Sequence, residues 1–435
     1  MDRAGAAAAS LDPVRRARPM LVLSMLCGIY VLNFLDRQLL AILAKPIQDD
    51  LQITDGQLGR LGGLYFACFY CFIAIPVGWL ADRANRVTIL SLACAIWSAA
   101  TMACGLATNY PQLVAARMAV GFGEAGGVPP SYAIITDTFP PGRRGIAFGI
   151  YNLGPPIGAT LGIAFGASIA AAFHWRDAFI AIGGIGIAAA IAARLVLSEP
   201  PRGAFDDTRQ MGEAPGFWAT AKMFFTRPVL ILAALGSGAT QFITYGLGNF
   251  ATLFLMREKG MTLGEVAIWY ALATGIGMGA GMLVSGRVID RFTPRWRSAY
   301  ALAPAFSLLG ALPFYLGFLL APNWPLALLS LTAAMMLNYF YLSSSIALVQ
   351  EEVRPDQRVM SSALLLLVMN FIGLGLGPTW VGAASDFFAA RGSEHSLQIA
   401  LLTLTPFYIV ASLIFFWLAR ILRRTPAPST LRFEP

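Results

Sequence analysis

The stretch Arg117–Gly127, RMAVGFGEAGG, decides how the whole chain is read. Gly121, Gly123 and Gly126 spell G-x-G-x-x-G, the fingerprint of a dinucleotide-binding turn. That turn needs a preceding strand and a βαβ unit, and the flanking sequence offers neither. The run is instead a glycine-rich piece of an apolar helix that carries Arg117 and, two turns on, Glu124. Glycines in such a helix remove bulk and let neighbouring helices approach closely.

Composition supports the membrane reading. Of the 435 residues, 57% are hydrophobic and 12% charged, about half the charge of a typical soluble domain, and mean hydropathy is +0.65. Apolar runs of about 20 residues, each long enough to cross a hydrocarbon core, recur along the chain. They are read as Pro19–Lys45, Gly56–Ala81, Val87–Thr108, Tyr110–Thr138, Gly145–Phe173 and Ala178–Leu197. After a polar linker, Ser198–Arg227, come Pro228–Met256, Leu263–Ile289, Ser298–Leu320, Trp324–Val349, Val359–Phe388 and Leu397–Leu422. The expected fold is all-α and polytopic: twelve transmembrane helices in two pseudo-symmetric six-helix halves. Residues 1–18 form an N-terminal tail, 19–197 one half, 198–227 the linker, 228–422 the other half and 423–435 a C-terminal tail.

The net charge of +8 lies in short loops on alternate sides, which speaks against nucleic acid as a partner. One side holds the N-terminal arginines, Arg83, Arg86, Arg143, Arg144, the linker, Arg287, Arg291, Arg295, Arg297, Arg354, Arg358 and the tail. The other side holds few charges of mixed sign, among them Asp55 and Arg257. The basic excess makes the first side, and with it both termini, cytoplasmic. The N-terminus lacks the apolar core and cleavage site of a secretory signal. All five cysteines fall in apolar spans, and Cys68-x-x-Cys71 has no second ligand pair, so the thiols are read as small apolar groups. His174 and His395 are read as loop residues.

The halves repeat. GWLADR (Gly78–Arg83) recurs as GRVIDR (Gly286–Arg291), and NYP (Asn109–Pro111) as NWP (Asn323–Pro325), 214 residues later. Asp137 and Arg144 match Glu351 and Arg358 at the same offset. A parallel repeat of six-helix halves directs a substrate site to the interface of the repeats near the midplane.

A charge at mid-depth costs at least about 3 kcal/mol on insertion scales, so such residues pair or line a wet cavity. Asp36 and Arg37 in the first span, and Arg117 and Glu124 in the fourth, are the candidates. Asp36 and Arg117 match in depth to within about 3 Å at 1.5 Å per residue. They are expected to pair, with Glu124 deeper, and movement of Arg117 between the two carboxylates would couple protons to transport. A fixed pair that only locks the two helices is the competing reading. Arg37 is a candidate for an anionic headgroup; snorkelling or a partner on another helix is the competing reading. The 214-residue offset puts Leu331 and Asn338 opposite Arg117 and Glu124. The second half therefore offers polar and aromatic candidates: Gln241, Tyr245, Asn249, Asn338, Tyr339, Tyr341 and Asn370. Pro129/Pro130, Pro155/Pro156 and Gly377/Pro378 mark expected kinks.

These motifs resemble the major facilitator superfamily. GWLADRANR resembles its loop between the second and third helices, LVAARMAVGFGEA its fourth-helix pattern, GIYNLGPPIG its fifth-helix Gly-Pro motif and SEPPRG its motif after the sixth. NFLDRQLL, IPVGWLADRANR, GFGEAG and HWRDAF are similar to the Spinster-like subgroup. The resemblance implies a proton-coupled secondary transporter working by alternating access on an amphiphilic, lipid-like substrate such as a lysolipid or sphingoid. It also implies that Asp82, Arg83, Arg86, Asp137 and Arg144, with Asp290, Arg291, Glu351 and Arg358, form a cytoplasmic gate. Asp36, Glu124 and Arg117 are the expected proton-coupling residues; Arg37, Arg117, Tyr245, Asn249, Asn338, Tyr341 and Asn370 are the expected substrate contacts. Expected partners are membrane lipids, the proton and the substrate, around a monomer in a bacterial inner membrane. No metal, nucleotide or other cofactor is expected, since neither a metal-ligand set nor a P-loop occurs, and no nucleophile–base set suggests an enzyme. A transporter of small organic anions and a non-transporting receptor or scaffold are the alternatives.

Overall fold

Helix follows helix from end to end in the computed structural model, which describes residues 19–81, 83–202, 217–354 and 357–424. Among the described residues there is no strand. Where lipid is the solvent, a helix satisfies its own backbone, and this chain uses little else. In the first half α1 spans Pro19–Ile42 and Ala44–Leu51, α2 Asp55–Gly62 and Leu64–Ala81, and α3 Arg86–Leu106. Next come α4 (Tyr110–Glu124 and Val128–Thr138), α5 (Pro141–Tyr151 and Gly154–Ala172) and α6 (Trp175–Val196). A linker helix, Phe217–Thr226, precedes α7 (Pro228–Lys259) and α8 (Leu263–Glu265, Val266–Tyr270, Ala271–Phe292). Then follow α9 (Ala299–Leu320), α10 (Trp324–Asn338 and Phe340–Glu352), α11 (Arg358–Asn370, Phe371–Leu376, Gly377–Ala389) and α12 (Ser396–Leu402 and Thr405–Arg424).

Eleven of these twelve are long and apolar enough to span a bilayer. The exception is α4, which three non-helical residues, 125–127 inside RMAVGFGEAGG, divide into two pieces each shorter than a span. Its first piece ends on Glu124, and α10 breaks at the repeat-related position, after Asn338. Local turns re-pair part of the backbone at the α4 break. Gly126 N donates to Gly123 O (3.1 Å), Gly127 N to Glu124 O (3.1 Å), and Ser131 Oγ to the Gly127 carbonyl (2.8 Å). The three expected kinks coincide with helix restarts: Pro129/Pro130, Pro155/Pro156 and Pro378 each lie in the first turn of a new piece. There a proline's missing N–H removes nothing the helix needed.

Helix starts are written into the sequence. Asn109 and Asn323 cap α4 and α10 identically, each side chain accepting a backbone N–H three residues on (3.0 and 3.1 Å). Asn85 does the same for α3, from Thr88 N at 2.8 Å. His174, read from the sequence as a loop residue, is the N-cap of α6, in a capping box with Asp177. His395 stands at the N-cap position of α12 with its side chain turned to Glu258 instead, at 2.5 Å.

The chain folds into two compact units. The first holds the described residues up to Leu43 and from Cys68 to Arg202; in it α3 packs along α6 and α4, and α1 along α5. The second holds the described residues from 217 onward, and there the same pairs recur as α9 with α12 and α10, and α7 with α11. It also holds Ala44–Ala67, the end of α1 and start of α2, which the chain order alone assigns to the first half. Large apolar side chains such as Phe173, Leu195, Leu329 and Leu413 stand more than half exposed, as side chains do when hydrocarbon covers them.

Candidate functional site

In the first unit, four charged side chains lie at mid-depth on α1 and α4: Asp36, Arg37, Arg117 and Glu124. Asp36 and Arg37 are neighbours on α1, so their side chains diverge by about 100° around the helix axis. Asp36 turns toward α3, where Thr101 Oγ1 donates to its Oδ2. Arg37 turns toward α4, where its Nε donates to Glu124 Oε2 in an ion pair. Arg37 also lies over the rings of Phe34 (4.9 Å) and Tyr70 (4.7 Å). Arg117, buried two turns before Glu124 on α4, acts electrostatically on both Asp36 and Glu124, as does Arg37. The Asn33 amide stands beside Glu124.

Asp36, Glu124 and Arg117 are each at most 2% exposed. Asp36 Oδ1 and Glu124 Oε1 have no hydrogen-bond partner among the described residues. A buried carboxylate oxygen without a donor is a costly place to hold negative charge. Gly123 makes the depth possible. A Cβ there would stand 2.5 Å from Trp97 N, so only glycine lets α4 approach α3 this closely.

The hydrogen bond to Asp36 comes from a residue the sequence did not single out, Thr101, while Arg117, the expected partner, acts on it through its charge. Glu124, expected deeper than the Asp36–Arg117 pair, is engaged by Arg37. An ordinary threonine in an apolar span carries no sequence signal, and its role appears only when α1 and α3 are apposed. Below the charges, Tyr30 stacks on Tyr151 at 4.5 Å and Tyr132 meets Tyr151 edge-on at 5.4 Å. These tyrosines extend the polar–aromatic wall of the unit.

In the second unit, Asn338 Nδ2 donates to Tyr408 Oη (3.0 Å), which packs on Tyr315 at 5.1 Å. Asn338 and Tyr341 are enclosed; Tyr245, Tyr339 and Tyr341 group together. Asn249, half-buried on α7, fills the space that a side chain at Gly62 of α2 would take. Asn370, also half-buried, ends the first piece of α11.

Of the nine proposed gate residues, Asp82 lies outside the described residues. Arg86 is buried and paired with Asp137 (2.6 Å) and Glu199 (2.6 Å), and donates to Pro200 O (3.1 Å). Tyr300 Oη donates to Glu351, again 51 residues on, so the Arg–Asp pair of one half is a Tyr–Glu hydrogen bond in the other. Beside it Arg297 pairs with Glu352. Arg83 stacks on Trp79 (4.2 Å), Arg144 donates to Phe139 O (3.1 Å) and Arg358 to Gln350 O (3.0 Å). Asp290 and Arg291 stand exposed. Glu199, in SEPPRG, was not among the expected gate residues, and it ties the chain after α6 to α3 through Arg86 and Val87 N (3.1 Å).

At the other end of the helices, the second unit holds a cluster that no motif marked. Asp55 accepts from Arg257 Nη1 (2.9 Å) and Nη2 (3.0 Å), Gln48 Nε2 (2.7 Å) and Ser385 Oγ (2.6 Å). Thr54 Oγ1 donates to Asp386 Oδ2 (2.7 Å). These bonds tie the α1–α2 connection to α7 and α11.

A chain of twelve membrane helices built as a repeat, with buried opposite charges in one half, belongs to the class of polytopic membrane transporters. The family model of the Major Facilitator Superfamily matches residues 26–378. An MFS-type efflux pump of Mycolicibacterium smegmatis (strain ATCC 700084 / mc(2)155) is 31% identical over 409 residues, 92% of each chain. Mouse (Mus musculus) protein spinster homolog 1 is 28% identical over 406 residues, covering 85% of this chain and 74% of that one. The crystal structure of a bacterial homolog to the human lysosomal transporter Spinster, inward-facing and unoccupied, superposes with a TM-score of 0.85 at 30% identity, covering 95% of this chain and 100% of that one. The chain belongs to the Major Facilitator Superfamily and is a Spinster-like transporter.

Proposed function

We propose that this chain is a proton-coupled secondary transporter of an amphiphile with an anionic head, in which Asp36 and Glu124 carry the protons. The observation that supports this most directly is the buried Arg37–Glu124 pair beside Asp36. Two carboxylates and two arginines balance when all are charged. An anionic head drawn to Arg37 competes with Glu124 for the guanidinium, and a carboxylate left in a low dielectric takes up a proton. Substrate and proton binding are thereby linked.

Thr101 lets Asp36 exist in both states at little cost. With Asp36 charged, the hydroxyl donates to it. With Asp36 protonated, the acid proton is donated to Thr101 Oγ1, and the hydroxyl hydrogen turns to Trp97 O, 2.9 Å away. Neither state leaves a buried polar hydrogen unpaired.

Positive-inside charge supports an inner-membrane location with the arginine-rich face cytoplasmic. The 31% identity to a protein named an efflux pump supports export as the direction. The second-unit candidates Tyr245, Asn249, Asn338, Tyr341 and Asn370 would supply the less charged contacts for the apolar part of the cargo.

The test is substrate-evoked proton flux in proteoliposomes on adding a lysophospholipid. The wild type is expected to acidify the lumen and Glu124→Gln to lose the response. Equal responses would remove Glu124 from the proton path. Competition by a soluble carboxylate but not by the lysolipid would replace the amphiphile with a small organic anion.

A further inference from the structure

On the arginine-rich face of the second unit, a groove of about 820 Å³ opens where α8 ends, α9 begins and α12 ends. Its walls are apolar and aromatic, with Phe292, Trp296, Leu302 and Phe306 prominent, and its polar members include Arg297 and Arg423. Trp296 and Phe306 are each 61% exposed, and Trp296 stacks flat on Phe292 at 6.1 Å. Large exposed rings at the end of a membrane helix belong at the boundary between headgroups and acyl chains.

The polar members are underused. Arg297 spends Nη2 on Glu352, but its Nη1 is buried without a hydrogen-bond partner among the described residues. Arg423, exposed on the last turn of α12, forms no ion pair among the described residues. Glu351 and Glu352, the nearby acids of α10, already accept from Tyr300 and Arg297. Arg287, Arg291, Arg295, Arg420 and Arg424 add positive charge around the mouth, against Asp290 alone from the same loops. A buried guanidinium N–H without an acceptor is costly and asks for an anionic oxygen.

We infer that this groove seats one anionic diacyl phospholipid, its phosphate between Arg297 and Arg423 and its upper acyl chains against Trp296, Phe292 and Phe306. Charge complementarity selects the class. A phosphatidylglycerol headgroup offers acceptors and net negative charge, whereas a choline head would bring a further cation among the arginines. The site is separate from the charges on α1 and α4 and stands whatever the transported molecule is. A lipid seated there joins the ends of α8, α9 and α12, and shields the Arg297–Glu352 pair from water.

The test reads Trp296 directly. The full-length protein is placed in vesicles containing brominated phosphatidylglycerol or brominated phosphatidylcholine, and the fluorescence of Trp296→Phe is subtracted from that of the wild type. Quenching of Trp296 is expected at about a fivefold lower mole fraction of the glycerol lipid. Arg423→Ala abolishes that preference, while Lys222→Ala, an exposed change on the linker helix, retains it. Native mass spectra should show one retained phosphatidylglycerol in wild type and loss of it in Arg423→Ala. Equal quenching by the two lipids, or an undiminished preference in Arg423→Ala, overturns the proposal. So does displacement by excess inorganic phosphate, which would make the groove a simple anion site.

Discussion

Asp55 and Arg257, 202 residues apart in the chain, form a two-pronged ion pair at 2.9 and 3.0 Å that fastens the α1–α2 connection to α7. Around it α2 lies so close to α11 that a Cβ at Gly59 would meet the Pro378 carbonyl at 2.4 Å. The pair therefore latches a seam with no room for adjustment.

Opening that seam is the first expectation to test. Arg257 is one-third exposed and Asp55 nearly buried, so the pair contributes about 1–2 kcal/mol, more than a fully solvated bridge. In a background lacking the five native cysteines, Asp55→Asn should raise the rate at which an impermeant reagent modifies Thr379→Cys by about tenfold. Exchanging the charges, Asp55→Arg with Arg257→Asp, should recover most of the protection. An unchanged rate would mean that packing alone holds the seam.

The Thr101 hydroxyl provides a second test. Thr101→Val keeps the volume but removes the hydroxyl that donates to Asp36. Losing a hydrogen bond to a buried charge costs about 1.5–3 kcal/mol, so proton-coupled flux should fall at least about tenfold. Thr101→Ser should keep most of it. A Val variant with normal flux would leave Asp36 without a need for this partner.

Much of this was legible before any coordinates. Apolar spans and their loop charges give the helices, and repeats such as Asn109–Pro111 and Asn323–Pro325 give the two halves. The membrane depth of Asp36, Arg37, Arg117 and Glu124 follows from counting residues. What counting does not supply is the rotation and neighbourhood of each helix. Nothing in NFLDRQLL says that Asp36 faces α3 while Arg37 faces α4, nor that Thr101 waits on α3. Asp55 and Arg257 read as sparse loop charges because their meeting depends on long-range packing. The break after Glu124 was half-visible: glycines and prolines marked a weak helix, but only the fold shows that the helix stops there and that α10 breaks at the repeat-related position, after Asn338.

Arg86 and Tyr300 occupy equivalent places in the repeat, and their removal should be unequal. Arg86→Gln leaves Asp137 and Glu199 facing each other without their shared cation, a loss of about 3–5 kcal/mol when a buried pair is broken. Tyr300→Phe forfeits one hydrogen bond to Glu351, about 1–2 kcal/mol. Thermal unfolding in detergent should therefore show a markedly larger drop for Arg86→Gln. Similar drops would indicate that Asp137 and Glu199 find other partners.

The glycines of RMAVGFGEAGG make the last prediction, because they separate a packing role from a phosphate-binding one. A Cβ on Gly123 would lie 2.5 Å from Trp97 N, which is backbone and cannot swing away, and a Cβ on Gly126 would lie 2.6 Å from the Ala93 Cβ. Gly28, on α1, has nothing within 4 Å of the same position. Gly123→Ala must push α4 off α3, with an overpacking cost of about 1–3 kcal/mol, and the shift carries Glu124 with it. Gly28→Ala should be neutral or slightly stabilising, since alanine is the better helix former. Folded yield and unfolding temperature should fall for Gly123→Ala and Gly126→Ala only. Proton-coupled flux per folded molecule should fall for Gly123→Ala as well, because it displaces the carboxylate that Arg37 holds. Normal stability in Gly123→Ala would show that α3 and α4 are less tightly joined than the 2.5 Å approach requires.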